Sequence, residues 1–313
     1  MVTKRSISIL IEWENAIVAD QTRAIRMLEH IRQDIEEVGQ EYFTLVEIVS
    51  GLDPTGINPQ LVESMLREAF GTVSWVTIRN VALPGRTYYE MKNECALEAR
   101  GEIVVLLDSD VIPSPGWLKK MVDSFEDPAV QICASSVHLA VGSLQEKTLA
   151  LIWIFEIASR AVGLKKTGSI WVNSTAYRRE VFLKFPLPGS DGTARASCAA
   201  HVRELRAAGI PMHRRMDAHV EHPAPVGVRE FVERALARGR DKVLGSPKPF
   251  WKNVVYDVKR GLGCIVKRRD EVGVRLIEVP AVLLIASAWW LLMIVGGLAA
   301  MIAPKEMRKR LQL

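Results

Sequence analysis

The sequence predicts an α/β fold on a mostly parallel sheet, followed by a separate apolar C-terminal region. Three observations carry this expectation. Short β-rich runs alternate with helical stretches four times over the first part of the chain, at roughly 30-residue spacing. The fourth β-rich run ends in Asp108-Ser109-Asp110. An uncharged run over 279–303 then precedes a short basic tail.

The elements follow in order. Residues 6–11 read as a buried strand and 21–38 as an amphipathic helix. A second strand over 43–49 is expected to end at Gly51 and Pro54, with a helix over 59–70 and a third strand over 75–78. A helix over 88–100 leads through Gly101 into the fourth strand, 102–107. Beyond it the pattern is mixed. It predicts a helix over 115–125 beginning at a proline, a strand near 130–137, and an apolar helix over 144–162. A helix over 199–208 capped by Gly209 and another over 228–240 complete a first domain, residues 1–245.

Composition bounds the function. The chain has 313 residues, 49% hydrophobic and 25% charged, enough for one large packed domain or two modest ones and too apolar for disorder. The net charge of +5 is mild. Many basic residues cluster in the last third, in 234–240 and 267–269, beside the apolar segment; this suits an anionic membrane surface and argues against a nucleic-acid partner. Four scattered cysteines without a C-x-x-C pair exclude a zinc or disulfide framework and fit a reducing compartment. With no apolar signal stretch at Met1–Arg5, the first domain is expected in the cytosol.

Residues 246–276 mix aromatic and aliphatic residues with Lys and Arg, as expected of an amphipathic juxtamembrane helix or of an ordinary surface helix. Residues 277–303 are long enough for a transmembrane segment, since a span needs about 20 apolar residues. The tail, 304–313, is basic like the preceding flank, so charge alone does not orient the segment, and Gly296-Gly297 would permit a re-entrant path.

Asp108 and Asp110 stand two residues apart where an apolar strand ends, the edge at which open α/β sheets bind ligands. Two such carboxylates can approach one hard cation, which can in turn neutralise a diphosphate. The bland alternative is a solvated turn.

The continuous stretch from Lys92-Asn93 through Ala99-Arg100-Gly101-Glu102 to Asp108-Ser109-Asp110 and Trp117-Leu118 resembles the central signature of family 2 glycosyltransferases. The resemblance extends over roughly residues 6–240. It implies a GT-A nucleotide-diphospho-sugar transferase fold, with Mn²⁺ or Mg²⁺ as cofactor and a nucleotide-sugar donor of the UDP or GDP type. Asp108 and Asp110 would be metal ligands and His222, with His219 as competitor, would complete the shell. Lys92, Asn93 and Ser109 would belong to the donor site, and 171–182 would flank donor sugar and acceptor.

The departures from that pattern are informative. Relatives open with a strand ending in Pro-Thr-Tyr-Asn, but here Glu12-Trp13-Glu14-Asn15 stands. Trp13 could stack on a base, with Glu12, Glu47 or Asp53 accepting hydrogen bonds; a packing role for Trp13 is the alternative. Where relatives carry acids as catalytic base, this chain has Ser197-Cys198, so the nearest acid, Asp191, becomes the candidate base, against a plain Asp-Gly turn. The Gln-x-x-Arg-Trp motif of processive synthases is replaced by a run with Arg234, Arg238 and Arg240, which implies addition of one sugar. Arg234 and Arg238 would face the diphosphate or form a solvated helix surface.

The resemblance thus implies an inverting transferase; the apolar segment adds an expected attachment to a membrane and with it a membrane lipid or lipid-linked acceptor, and cytosolic nucleotide-sugar pools put the catalytic domain on the cytoplasmic face. Two rival readings stand beside it. A membrane-tethered nucleotide-sugar-binding protein without activity draws on Ser197-Cys198. A nucleotidyltransferase would need a glycine-rich phosphate loop after the first strand, which 12–15 lacks.

Overall fold

A computed structural model of the protein describes residues 4–14, 21–158, 160–189, 197–246, 248–304 and 307. Its strands are β1 (Arg5–Glu12), β2 (Phe43–Leu52), β3 (Val76–Ala82), β4 (Ile103–Asp108), β5 (Ile112–Pro113), β6 (Ile132–Leu139), β7 (Leu164–Lys166), β8 (Ser174–Arg178) and β9 (Met212–His222). Its helices are α1 (Gln21–Val38), α2 (Pro59–Phe70), α3 (Tyr88–Glu98), α4 (Trp117–Asp123), α5 (Leu144–Ile152), α6 (Arg179–Lys184), α7 (Ser197–Ala207), α8 (Gly227–Leu244), α9 (Phe250–Arg268) and α10 (Val279–Ile302). The chain divides into two compact units: the described parts of 1–137, 159–189 and 201–221 form one, and those of 138–158, 190–200 and 222–313 the other.

The sheet of the first unit runs β3-β2-β1-β4-β8-β6-β9-β5, with β7 on β9. The expectation of a mostly parallel sheet holds for β1 to β4 only. These four pair in parallel, whereas β8 joins β4 and β6 antiparallel, and β9 joins β5 and β7 antiparallel. The sequence pattern separates the two halves. Ile7, Ile9, Leu10 and Ile11 in β1 and the whole of β4 are buried, the continuous apolar run of a strand covered on both faces. Those faces are covered by helices with defined starts: Asn58 accepts from the Gln60 amide (3.0 Å) before α2, and Thr87 and Glu90 form a capping box at α3.

Several element boundaries differ from expectation, and for three of them the structure gives the physical reason. Strand β2 runs through Gly51, which pairs with Glu12 and Val81, because a glycine fits there: a Cβ would lie 2.4 Å from Cys95 Sγ. Helix α4 starts at Trp117 and not at Pro115, since Gly116 takes a left-handed conformation (φ 73°) and buried Asp34 accepts from the Gly116 and Leu118 amides at 2.7 and 2.8 Å. The apolar helix expected over 144–162 ends at Ile152. Trp153 is extended, and the Arg260 guanidinium donates to the carbonyls of Trp153 and Phe155, giving this backbone partners outside a helix.

The second unit contains α5, α8, α9 and α10. A single helical stretch over 276–302 is, among the described residues, long and apolar enough to cross a membrane.

Candidate metal and nucleotide site

Parallel register aligns the C-terminal ends of three strands: Glu12 of β1 pairs with Gly51 of β2 and with Asp108 of β4. The backbone then turns, with the Val111 amide donating to the Asp108 carbonyl (3.4 Å). Asp108, Ser109 and Asp110 are 4%, 0% and 6% exposed, so this is no solvated turn. Oxygens of the Asp108 and Asp110 carboxylates lie within 4.8 Å of one another, a separation that one cation can bridge.

Asp108 is held from one side. Its Oδ1 accepts from Lys92 Nζ at 2.8 Å and from the Tyr88 hydroxyl at 2.5 Å, and Lys92 Nζ lies 4.7 Å from the centre of the Tyr88 ring. Lys92 and Tyr88 are four residues apart on α3 and therefore share a face. The Arg23 guanidinium donates to the Asp110 carbonyl, to the Glu221 carbonyl (2.9 Å) and to Glu221 Oε1 (3.2 Å), tying the turn to the end of β9. The Asp108 amide donates to the Asn173 carbonyl (3.1 Å).

Negative charge is in surplus here. Burial holds the Glu12 carboxyl well above its ordinary pKa, the neighbouring Asp108 and Asp110 raise it further, and Lys92 opposes them. The donor set therefore fits a hard divalent cation: the Glu12, Asp108 and Asp110 carboxyl groups lie close enough to act on one another's charge. Ser109 Oγ and Asn173 Oδ1 are buried without a hydrogen-bond partner among the described residues, as groups awaiting a polar ligand are.

The other expected site residues fall into three groups. Four are structural. Trp13 is fully buried and its indole donates to Ser50 Oγ (2.8 Å), so it packs in the core and offers no open face to a base. Buried Glu47 accepts from Ser8 Oγ (2.6 Å) and the Arg100 amide and faces Arg79 at 3.9 Å, bracing strands β1 to β3. Asn93 is paired both ways with the backbone of Leu187, donating at 2.8 Å and accepting at 2.9 Å, and so holds the segment before residue 190. Asp53 organises a turn: it accepts from Thr55 (2.8 and 2.7 Å) and from the Gly85 amide (3.0 Å), bonds that depress its pKa.

A second group lies in the other unit. Arg234 faces Glu230 (3.5 Å) and Arg238 faces Asp257 (3.4 Å), both on α8. His222 ends β9 directly after Glu221, the residue that pairs with Ile112. Its Nδ1 lies 2.7 Å from the Pro223 carbonyl and its ring packs 4.7 Å from Phe155. With Nδ1–H donating to that carbonyl, the Nε2 lone pair would be the one left to accept a proton or a cation. Finally, Asp191 lies outside the described residues.

Sequence reasoning missed Tyr88 and Arg23, and reached Asn173 only as part of the stretch 171–182. Tyr88 carried a usable signal, its four-residue offset from Lys92 on one helix; Arg23, 87 residues from Asp110, carried none.

The fold is that of the GT-A class, with the paired aspartates at the end of β4. Residues 79–185, which contain α3, β4 and the paired aspartates, match the model of glycosyl transferase family 2. The chain is similar to the mannosyltransferase PcManGT from Pyrobaculum calidifontis, solved in complex with GDP-Man and Mn²⁺, at 17% identity and a TM-score of 0.53, covering 99% of this chain and 84% of that one. It is similar to GalNAc-T7, solved with UDP, GalNAc and Mn²⁺, at 11% identity and a TM-score of 0.51, covering 83% of this chain and 55% of that one. A third similar structure is S. aureus TarS 1-349 with UDP-GlcNAc, at 13% identity and a TM-score of 0.50, covering 91% of this chain and 80% of that one. Identities this low establish a shared fold. No curated protein sequence matches the chain.

Proposed function

We propose that the protein transfers one sugar from a UDP- or GDP-linked donor to an acceptor at a membrane surface, using Mn²⁺ or Mg²⁺. The observation that carries this reading is the buried Asp108–Asp110 pair at the end of β4, with Asp108 fixed by Lys92 and Tyr88. Asp108 and Asp110 would hold the ion, with His222 Nε2 as third ligand. The bound ion supplies positive charge that stabilises the departing nucleoside diphosphate. The similar structures were solved with GDP-Man, UDP and UDP-GlcNAc, which supports a nucleoside diphosphate sugar as donor class.

The chain's own residues divide the remaining work. Lys92 and Tyr88 occupy Asp108 Oδ1 and leave Oδ2 for the ion. Ser109 Oγ and Asn173 Oδ1 are placed to bond the donor. In an inverting displacement the acceptor oxygen bonds to the anomeric carbon as the carbon–oxygen bond to the nucleotide breaks, and a carboxylate takes the acceptor proton. Asp191, the acid nearest Ser197-Cys198 in sequence, is our candidate for that base. The apolar stretch 276–302 supports attachment to a membrane and hence a lipid or lipid-linked acceptor. Nucleotide-sugar pools place the catalytic unit on the cytoplasmic side.

Binding without transfer is the second reading, favoured by one observation: α7 begins with Ser197 and Cys198, neither a carboxylate. Release of nucleoside diphosphate from GDP-mannose or UDP-GlcNAc, measured with Mn²⁺ and with chelator, separates the two. Metal-dependent release supports transfer, whereas binding of the donor with no release supports the second reading.

A further inference from the structure

Helix α10 has two unlike faces. Val282, Ala286, Trp289, Met293, Gly297 and Ala300 are buried. The other face presents Leu284, Leu291, Val295, Leu298 and Ile302, with Leu284 73% and Ile302 85% exposed. The buried face extends from residue 282 to 300, about 27 Å at 1.5 Å per residue. That is close to the full hydrocarbon thickness of a bilayer, about 30 Å.

What covers that face is charged. Helix α8 packs along α10 without intervening side chains: a Cβ at Gly239 would meet the Met293 carbonyl at 1.8 Å, and one at Gly296 the Leu236 carbonyl at 2.1 Å. Phe231 meets Trp289 at 5.2 Å. These contacts fall on residues 231–239 of α8 and 289–297 of α10, so α8 lies beside the middle of α10. Eight of the 18 residues of α8 are charged, among them Glu233, Arg234 and Arg238 within the contact region. Helix α9 crosses the same face, where a Cβ at Gly261 would lie 2.7 Å from the Trp290 ring.

If α10 crossed a bilayer, its middle would sit at the membrane centre and carry these charges of α8 into hydrocarbon, where they are strongly disfavoured. We infer that α10 lies along one leaflet of an anionic bilayer, its outer face among the acyl chains, and does not cross it. The charge pattern of α9 points to the same occupant. Trp251, Val255, Leu262 and Val266 form an exposed apolar stripe at helical spacing, flanked by Lys252, Lys259 and Lys267. Such lysines reach lipid phosphates while the stripe enters the interface. The inference concerns the mode of attachment and is independent of the transferase activity.

The test labels the full-length chain in sealed inverted inner-membrane vesicles with a membrane-impermeant maleimide. A Cys198→Ser, Cys264→Ser background carries either Asp270→Cys, before the helix, or Gln312→Cys, after it. Asp270 is 79% exposed, so its replacement leaves the packing intact. Both sites are expected to label to within twofold of each other before detergent is added. One site labelling only after detergent would overturn the inference and leave membrane attachment standing. A chain found in the soluble fraction as a dimer would assign the outer face to a second copy and overturn both.

Discussion

Lys92 Nζ lies 2.8 Å from Asp108 Oδ1, and both side chains are almost fully excluded from solvent. A buried ammonium at this place serves the carboxylate that ends β4, and α3 exists in the right position because Thr87 and Glu90 cap its start. Removing one partner of such a pair strands the other as an uncompensated buried charge, at a cost of about 3–5 kcal/mol. Lys92→Met should therefore destabilise the protein by that order, read by urea unfolding. Tyr88→Phe, which removes a hydroxyl donor to a carboxylate, should cost about 1–3 kcal/mol. Full stability of Lys92→Met would remove the pair from the account.

Asp108→Ala and Asp110→Ala should each lower turnover at least ~100-fold through lost stabilisation of the leaving group. Asp110→Ala should keep the circular dichroism spectrum and elution volume of the parent, whereas Asp108→Ala, which strands buried Lys92, should stay folded but lose stability as well. Initial-rate measurements with saturating donor and Mn²⁺ check this, and near-parental rates in either variant would count against the assigned ligands.

Gly51 offers a packing test of the strand end beneath the site. A Cβ there would lie 2.4 Å from Cys95 Sγ and 3.3 Å from Leu83 Cδ1. Overpacking of this kind costs about 1–3 kcal/mol. Gly51→Ala should lose that much, and Cys95→Ala should recover part of it in the double variant, a coupling of at least ~0.5 kcal/mol for residues in contact. Strict additivity would mean that the two positions do not meet.

His201 predicts a pH dependence. It is fully buried, 3.3 Å from the Tyr177 hydroxyl, and burial pushes its pKa down to about 4. The unfolded chain binds a proton below the ordinary value of about 6.5, while the folded chain does not until about 4. Stability from this group is thus complete above about 6.5 and is lost as pH falls towards 4, by about 3 kcal/mol in all. His201→Leu should flatten this acid limb in denaturant midpoints measured between those pH values. An unchanged slope would show that other groups produce it.

Much of this was legible before the structure. Helices α1 and α2 were bounded correctly from their apolar spacing, because Asn58-Pro59 and Gly71 punctuate one and the turn at Gly39 the other. The paired aspartates were legible because a continuous apolar strand delivers them. The antiparallel strands were less so: β7 is three residues long, and β9 has three consecutive polar residues directly after Met212, His213-Arg214-Arg215, which hides its period. The structural pairings of Glu47 and Asn93, and the choice between stacking and packing for Trp13, were not legible for one reason. Each of the three is a polar or aromatic group whose partner, Ser50, Arg79 or Leu187, lies tens of residues away, and sequence does not display such pairings.

The most direct test of the central claim is thermal unfolding of the purified protein with GDP-mannose or UDP-GlcNAc, with and without Mn²⁺, in the parent and in Asp110→Ala. A donor at ~100 times its dissociation constant should add about 2.7 kcal/mol of stability. The account predicts that increment in the parent only when donor and Mn²⁺ are both present, and its absence in Asp110→Ala. Equal stabilisation of parent and variant, or stabilisation that ignores Mn²⁺, would contradict it.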